Sequence, residues 1–287
     1  MSAQTSFTMG RKPTRAGTWI TLAVLCLLAT FYVFPFILQV ASSFKTDDDA
    51  TNNPMSLVPQ TWSMAAYDKL FKNSDYPLWF MNSAVVTVFV TAGRVFFNSL
   101  AGYALARLRF PGRQFIFLML IAVMSVPGVV LLIPKFLVIK QLGIYDTYPA
   151  LILPLLVDAS GVFIMKNFFE SIPVAVEEAA RIDGASTFRT FWSIVLPMAV
   201  PALITITILS FQGSWNEYSH FIIASQDPSL TTLTKGVASL SAGGVGGKAN
   251  QYPLKLGAAA IMTIPVAVLF FVFQKRIMNT SAGAVKE

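Results

Sequence analysis

The sequence predicts an all-α integral membrane protein with six transmembrane helices. Three observations favour this fold class: 55% of the 287 residues are hydrophobic, only 12% are charged, and several apolar stretches are long enough to cross a bilayer. A water-soluble domain carries about 25% charged residues, so this chain lacks the polar surface that an aqueous fold needs. The mean hydropathy of +0.62 places its apolar residues against lipid or against each other.

The individual spans follow from apolar runs, because about 20 residues at 1.5 Å per residue cross a hydrocarbon core of about 30 Å. Two charges interrupt these runs, Arg94 in the second and Asp158 in the fourth, which makes the fourth the weakest of the set. The predicted spans are Thr18–Val40, Leu78–Ala106, Gln114–Pro134, Tyr148–Met165, Phe191–Gly213 and Leu256–Phe273. They form one six-span domain at 18–274, between short tails at 1–17 and 275–287.

The first apolar run predicts an uncleaved anchor. A signal peptide also has basic residues before an apolar stretch, but its core covers only about 7–15 residues. The run Thr18–Val40 is longer and carries no charge. We therefore expect the run to remain in the protein as its first span.

Basic residues near the spans predict that both termini lie in the cytoplasm. Cytoplasmic loops carry an excess of lysine and arginine. With the N-terminus inside, twelve of the 21 lysines and arginines fall in inner segments and eight in outer ones. The turn with Arg107, Arg109 and Arg113 gives the clearest local signal. Of the two long outer segments, 42–77 predicts a small ordered cap, and 212–255, with glycines at 243–247, predicts a mobile loop.

Composition also excludes several classes of function. The net charge of +7 is spread over short segments between apolar runs, which indicates topology and not nucleic-acid binding. A single cysteine, Cys26, and a single histidine, His220, exclude a disulfide framework and a His/Cys metal site. The chain has no G-x-x-x-x-G-K-[ST] loop, so we expect no ATP hydrolysis by the chain itself. His220 lies near a membrane boundary, where a structural role is favoured over a proton relay.

The segment between spans four and five predicts a short helix along the inner face of the membrane. Pro173 suits the first turn of a helix, and Ser171 is a candidate N-cap. Gly184 permits the left-handed turn that ends a helix. A second helix is expected to begin near Ser186 or Thr187 and to continue into the fifth span.

The same short helix carries features of a docking element. Glu177 and Arg181 have i,i+4 spacing, and Ala179, Ala180 and Gly184 keep another face thin enough for close approach of a partner backbone. Such a helix, hinged at a glycine, would transmit the motion of a docked partner to the membrane helices. An ordinary amphipathic connector is the alternative that these residues leave open.

This segment resembles the EAA loop of ABC importer permeases. The match comprises Glu178, Ala179, Ala180 and Gly184, followed by Ile194, Leu196 and Pro197. The wider strings EEAARIDGAS and FWSIVLPMAVP are similar to the carbohydrate-uptake branch of that family, of the maltose type. NSLAGYALARLRFPGR at 98–113, the stretch at 126–154 and SWNEY at 214–218 are also similar, so the resemblance covers almost the whole chain from the first span.

The resemblance implies the permease subunit of an ATP-driven, binding-protein-dependent importer for a sugar. Its implied partners are a second homologous permease, two copies of a cytoplasmic ATPase that bind ATP and Mg²⁺, an external sugar-binding protein and membrane lipid, while this chain holds no cofactor. The EAA helix of the family docks into a cleft of the ATPase. The implied coupling residues here are Glu178, Ala179, Ala180, Arg181, Asp183 and Gly184. The tail residues Ser281, Gly283 and Lys286 match a family tail that reaches the ATPase, although Glu287 stands where related tails often have glycine.

Two further groups of polar residues are candidates for roles in the bundle. Arg94 and Asp158 are charges at membrane depth, where an isolated charge costs roughly 2.5–3.5 kcal/mol or more. Three arrangements are open. The two charges pair with each other, or Arg94 extends to the membrane interface, or each charge faces the pore separately. Trp215, Asn216 and Glu217 follow the fifth span as a candidate sugar vestibule, with an aromatic belt as the alternative for Trp215.

The residues of the sequence disfavour two other classes of membrane protein. A secondary transporter usually shows broken-helix repeats and several membrane acids. A membrane enzyme needs a clustered nucleophile, base or metal set. The sequence shows neither pattern, which leaves the importer permease as the predicted function.

Overall fold

A computed structural model describes residues 15–72, 74–241 and 251–283, with side chains described for 17–72, 74–240 and 251–274. Over these ranges the chain forms helices and no strand, as the sequence predicts. The helices are α1 (Arg15–Ser43), α2 (Asp47–Asn52), α3 (Ala65–Lys72), α4 (Tyr76–Arg107), α5 (Arg113–Met124), α6 (Leu132–Gln141), α7 (Tyr148–Ile152), α8 (Ala159–Ser171), α9 (Val174–Ile182), α10 (Thr187–Thr190), α11 (Leu196–Met198), α12 (Val200–Trp215), α13 (Ser219–Ala224), α14 (Leu233–Ser241) and α15 (Tyr252–Gly283).

Four of the predicted spans correspond to helices that are long and apolar enough to cross a membrane. These helices cover Gly17–Ser43, Tyr76–Arg107, Tyr148–Ser171 and Tyr252–Gln274. They match the first, second, fourth and sixth predicted spans. The fourth is interrupted as Asp158 suggested, because a 3₁₀ turn at Leu153–Leu155 separates α7 from α8.

The third and fifth predicted spans each consist of two helices that meet at a sharp bend. Arg113–Met124 and Gly128–Gln141 meet at 106°, and Thr187–Met198 and Val200–Trp215 meet at 79°. Prolines explain both breaks, since a proline disfavours helical geometry in the residue before it and cannot donate an N–H to the preceding helical turn. Pro127 lies in the first break, and Pro201 is the second residue of the helix after the second break. Counting each bent pair as one span gives the predicted six.

The chain divides into two compact units, and the smaller one comprises residues 15–66 with 251–260. Its loop after α1 is ordered by buried polar contacts, as expected for a cap. Lys45 donates to the carbonyl of Asn53 at 2.7 Å. The buried carboxylate of Asp49 accepts from the N–H of Gln60 at 2.9 Å and from the amide of Asn53 at 3.1 Å.

The larger unit comprises residues 67–241 with 261–283, and α4 packs along α8 and α12 within it. Gly102 permits the close approach of α4 and α8, because a Cβ there would lie 2.9 Å from the backbone nitrogen of Lys166. An apolar core fills the end of this bundle near Arg107. Its buried members include Tyr103, Met165, Phe169, Phe191, Val195 and Ile206. This core supports the segment that carries the candidate site.

Candidate coupling site

Helix α9 begins at a proline, but its cap differs from the prediction. Pro173 is the N-cap residue of α9, which runs from Val174 to Ile182. Ser171 ends the preceding helix α8, and its hydroxyl donates to the carbonyl of Phe168 at 2.7 Å. The prediction of Ser171 as the cap is therefore wrong, because its side chain is used by its own helix.

The glycine at the end of α9 adopts the left-handed conformation that the sequence predicts. Gly184 has φ +78° and open space around its Cα. Its N–H donates to the carbonyl of Arg181 at 3.0 Å, and the N–H of Ala185 donates to the carbonyl of Ala180 at 2.9 Å. This pair of bonds defines a Schellman motif. Ser186 then caps α10 by accepting from the N–H of Arg189 at 3.3 Å, so the second helix begins where it was predicted.

One face of α9 is exposed and the other is buried in the chain. The exposed face contains five of the six predicted coupling residues: Glu178, Ala179, Arg181, Asp183 and Gly184. Ala180 is the exception, because its side chain packs into the chain's own body and is 5% exposed. The expectation that Ala180 leaves a thin face open to a partner is thus corrected, since i,i+3 spacing places it on the inner face with Glu177.

The inner face of α9 is held by a buried ion pair. Arg107 Nε lies 2.9 Å from Glu177 Oε1, and the two side chains are 10% and 3% exposed. Within the described part of the chain neither atom makes a well-directed hydrogen bond, so the contact is an ion pair. Tyr103, one turn before Arg107, donates its hydroxyl to Glu177 Oε2 at 3.3 Å.

Arg107 also binds the end of the helix that precedes α9. Its Nη2 donates to the carbonyl of Phe169 at 2.6 Å and to the carbonyl of Ile172. Carbonyls at the end of a helix lack the usual i+4 donor, and here the guanidinium adds to the single N–H of Ile172 that Phe169 accepts. From the sequence, Arg107 was predicted only to mark the cytoplasmic side of the membrane. The available signal was Glu177, a carboxylate on the face shared with Ala180 and therefore in need of a cation.

A polar cavity of about 520 Å³ lies beside the ion pair. It is lined by both partners together with Arg109, Arg113, Arg181 and Glu178. Arg113 lies 3.8 Å from Glu170, which also binds Lys166 at 2.8 Å. Charged side chains therefore surround the buried ion pair of Arg107 and Glu177, which suits contact with water or with another polar protein surface.

Two large apolar side chains project near Gly184, and sequence analysis did not identify them. Ile182 is 86% exposed and Phe188 is 70% exposed. The exposed apolar side chains elsewhere in the structure lie mainly on helices that are candidates for lipid contact. Here they lie among charges at the end of α9 and in α10. Apolar side chains exposed beside polar ones are typical of protein interaction sites.

Comparison with known proteins identifies the family. The family model described as "Binding-protein-dependent transport system inner membrane component" matches residues 98–278. The chain belongs to this family. Its members are transmembrane components of ABC importers, so this permease is not itself an enzyme and works with a separate ATPase and a substrate-binding protein.

Individual relatives cover the permease almost end to end. It is 34% identical to the polygalacturonan/rhamnogalacturonan transport system permease YtcP of Bacillus subtilis, over 91% of this chain and 95% of that one. It is 29% identical to the arabinooligosaccharides transport system permease AraQ of Halalkalibacterium halodurans, over 97% of this chain and 100% of that one. In fold it resembles a chain of a bacterial ABC transporter that imports alginate, with a TM-score of 0.78 and 23% identity over 93% and 98% of the two chains.

The permease brings Arg94 and Asp158 together inside the bundle. Arg94 Nε lies 3.9 Å from Asp158 Oδ1 and donates to the carbonyl of Leu155 at 2.7 Å. Asp158 caps α8 by accepting from the N–H of Gly161 at 2.9 Å and also accepts from the amide of Asn98 at 2.8 Å. Both charges line a cavity of about 300 Å³ with Ser160 and Ser210. Arg94 and Asp158 therefore each lie closer to another hydrogen-bond partner than to each other.

The three predicted vestibule residues occupy different environments. Trp215 is buried, stacks on Phe211 and donates its indole N–H to the carbonyl of Met262 at 3.0 Å, so its ring is not available to a sugar. The predicted vestibule role of Trp215 is corrected for this reason. Glu217 Oε1 accepts from the N–H of His220 at 2.9 Å and stabilises the start of α13. Asn216 is exposed.

His220 is buried between helices. Its Nε2 lies 3.0 Å from the carbonyl of Ala150. Burial, with a contribution from the charge of Lys135, lowers the pKa of the imidazole below its ordinary value. A histidine held neutral in this way fits the structural role that the sequence favours.

The remaining predicted site lies at the C-terminus. Ser281 and Gly283 fall in α15, but their side chains are outside the described residues, and Lys286 is outside them altogether. The glycines at 243–247 also lie outside the described residues. Contact of the tail with an ATPase stays a prediction.

Proposed function

We propose that this permease forms half of the translocation pathway of an ATP-driven importer for a di- or oligosaccharide. A second, homologous permease forms the other half. Two ATPase subunits bind ATP and Mg²⁺ on the cytoplasmic side, and a binding protein delivers the sugar from outside. Support for the sugar comes from relatives whose names specify galacturonan and arabinose oligomers as their transport substrates.

The observation that carries this proposal is the exposed face of α9. Glu178, Arg181 and Asp183 are polar and exposed on a short helix with a glycine at its end, and Ile182 extends beyond them. A partner that docks here meets an apolar residue surrounded by charges of both signs. Such a mixture favours a specific, dissociable protein contact over lipid. We assign this face to the ATPase.

The topology follows from the same segment. If α9 docks to an ATPase, then α9 and the Arg107 end of α4 lie in the cytoplasm. Both termini then lie on that side as well, as the basic residues predict. The Tyr76 end of α4 faces the outside.

The mechanism is alternating access. ATP binding closes the two ATPase subunits and moves α9, and the membrane helices then open the pathway to the loaded binding protein. Hydrolysis of ATP reverses the movement. The permease supplies no catalytic residue to this cycle; it supplies a rigid docking helix and the walls of the pathway.

Asn216 and the cavity with Arg94 and Asp158 are the candidate polar surfaces for the solute on this subunit. Asn216 is exposed after α12, and the cavity also contains the hydroxyls of Ser160 and Ser210. Amide, hydroxyl and carboxylate groups suit the hydroxyls of a sugar. We place direct solute contact second to the coupling role.

The test is uptake by the complete importer, purified and reconstituted in liposomes. Radiolabelled galacturonate and arabinose disaccharides serve as probes, with MgATP inside the vesicles and the binding protein outside. We expect uptake of at least one probe that requires MgATP and the ATPase subunit. Uptake driven by an ion gradient without the ATPase would contradict the proposal and favour a secondary transporter.

A further inference from the structure

We propose that Arg107 and Glu177 form the positioning joint that passes movement of α9 to the membrane helix α4. This inference rests on the proposed function, because it names the residues through which the docked ATPase acts. Chain continuity and apolar packing connect α9 onward to α10 and the fifth span. The ion pair adds a second connection, from α9 directly to the last residue of α4.

The chain connections of α9 are poor transmitters of force. Pro173 precedes the helix and Gly184 follows it in a left-handed conformation with open space around it. Both positions are points at which the chain changes direction. Between them, α9 has nine residues, of which only Glu177 and Ala180 are buried. Ala180 and the half-buried Val176 add apolar contacts that have no fixed direction, so the carboxylate of Glu177 supplies the polar, directed attachment of the helix.

Arg107 fixes three elements with one guanidinium. It belongs to α4, it binds the carbonyls of Phe169 and Ile172 at the end of α8, and it pairs with Glu177 of α9. A cation at the C-terminus of a helix is also favoured by the helix dipole. Because α9 is anchored to the same group that holds α8 against α4, a displacement of α9 acts on both helices together.

Burial makes this ion pair costly to break. The pair is largely withheld from water, and removal of one partner leaves the other charge buried and uncompensated. Tyr103 adds a second contact to the carboxylate from the preceding turn of α4. Glu177 is thereby held from two positions along α4, which restrains the angle of α9 as well as its distance.

The inference is tested in the complete importer with a thiol reporter on the other end of α4. Cys26, the only cysteine, is replaced by serine, and Asp75, the exposed N-cap residue of α4, is replaced by cysteine. A membrane-impermeant maleimide is added with and without MgATP and vanadate, and the labelling rate, ATP hydrolysis and bound ATPase are measured. Glu177→Gln removes the charge and keeps the shape. Glu170→Gln is the matched control, because it removes exposed ion pairs at the same end of the bundle.

We expect the nucleotide-dependent change in labelling rate to shrink on the order of tenfold in Glu177→Gln. Bound ATPase and its hydrolysis rate remain as in the parent, and Glu170→Gln keeps the full change. Arg107→Lys, which retains charge without the guanidinium geometry, is expected to give an intermediate change.

Three results would overturn the inference. A full nucleotide-dependent change in labelling rate in Glu177→Gln would show that the ion pair does not pass movement to α4. No change in the parent would show that α4 does not carry the movement. Loss of bound ATPase in Glu177→Gln makes the pair part of folding or docking. Failure of the proposed function is distinct from these, because the parent would then bind no ATPase at all.

Discussion

The guanidinium of Arg94 lies 3.9 Å from the carboxylate of Asp158, yet each group is bound more closely by another partner. Arg94 Nε donates to the carbonyl of Leu155, and Asp158 accepts from Asn98 and from the N–H of Gly161. Hydrogen bonds from Arg94 and Asn98 therefore join α4 to the segment that begins α8, and Asp158 serves as the cap of α8 as well as a charge. This distinction determines which substitutions the protein tolerates.

Asp158→Ala is expected to destabilise the permease by about 1 kcal/mol or more, because the N-cap of α8 is lost. Asp158→Asn is expected to cost less, since asparagine is also a good N-cap. Thermal unfolding of the detergent-purified complex measures both. Equal destabilisation by the two variants would show that the charge, and not the cap, is the important feature.

Gly184→Ala is expected to strain the end of α9 by roughly 1–2 kcal/mol, because a residue with a Cβ resists the left-handed conformation at φ +78°. Gly184→Asn is expected to cost less. Gly128→Ala is the matched control, since that glycine also has open space around it but no positive φ. Thermal unfolding and the amount of bound ATPase are measured together; an alanine at 184 that behaves like the one at 128 would contradict the Schellman motif.

Ile182→Ser is expected to leave folding unchanged, because the side chain is 86% exposed, and to reduce the ATPase that co-purifies with the permease. The loss of a centrally placed apolar side chain from an interface typically costs about 1–2 kcal/mol, which is on the order of tenfold in affinity. Val58→Ser is the control, because Val58 is equally apolar and 70% exposed in the segment assigned to the outside. Unchanged ATPase binding in Ile182→Ser would remove this residue from the docking face.

The permease is expected to lose stability as the pH falls from about 7.5 to 5. Burial lowers the pKa of His220, so the unfolded chain binds a proton more readily than the folded one. Stability from this group is full above the ordinary histidine pKa of about 6.5 and is lost as the pH falls toward the lower folded value. His220 is the only histidine, so a His220→Gln variant should show a flatter profile of unfolding temperature against pH. An unchanged slope in that variant would assign the pH dependence to other groups.

Hydrophobic runs and breaker residues were enough to predict the helical class, the positions of the spans and the glycine end of α9. The breaks in the third and fifth spans were missed because the apolar runs continue through Pro127 and Pro201. Composition alone does not show whether a proline kinks a helix or divides it. Asp158 was predicted to interrupt the fourth span, and its side chain caps the helix that follows.

The coupling residues were predicted from a local motif, but their attachment to the bundle was not. The partners Arg107 and Glu177 are 70 positions apart in the sequence, and only the packing of α4 against α8 brings them together. Trp215 was a candidate for a sugar vestibule because sugars stack on aromatic rings, and an aromatic belt was the alternative. Its stacking on Phe211 follows from i,i+4 spacing, but its hydrogen bond to the carbonyl of Met262, 47 positions away, follows from no local pattern.

The central claim is that the exposed face of α9 binds the ATPase. The most direct measurement is the ATPase retained by the tagged permease after purification from membranes, compared between the parent and Glu178→Lys. Glu178 is exposed, so the variant is expected to insert and fold normally while retaining at least about tenfold less ATPase. Parent levels of bound ATPase in Glu178→Lys, with equal amounts of permease in the membrane, would contradict the claim.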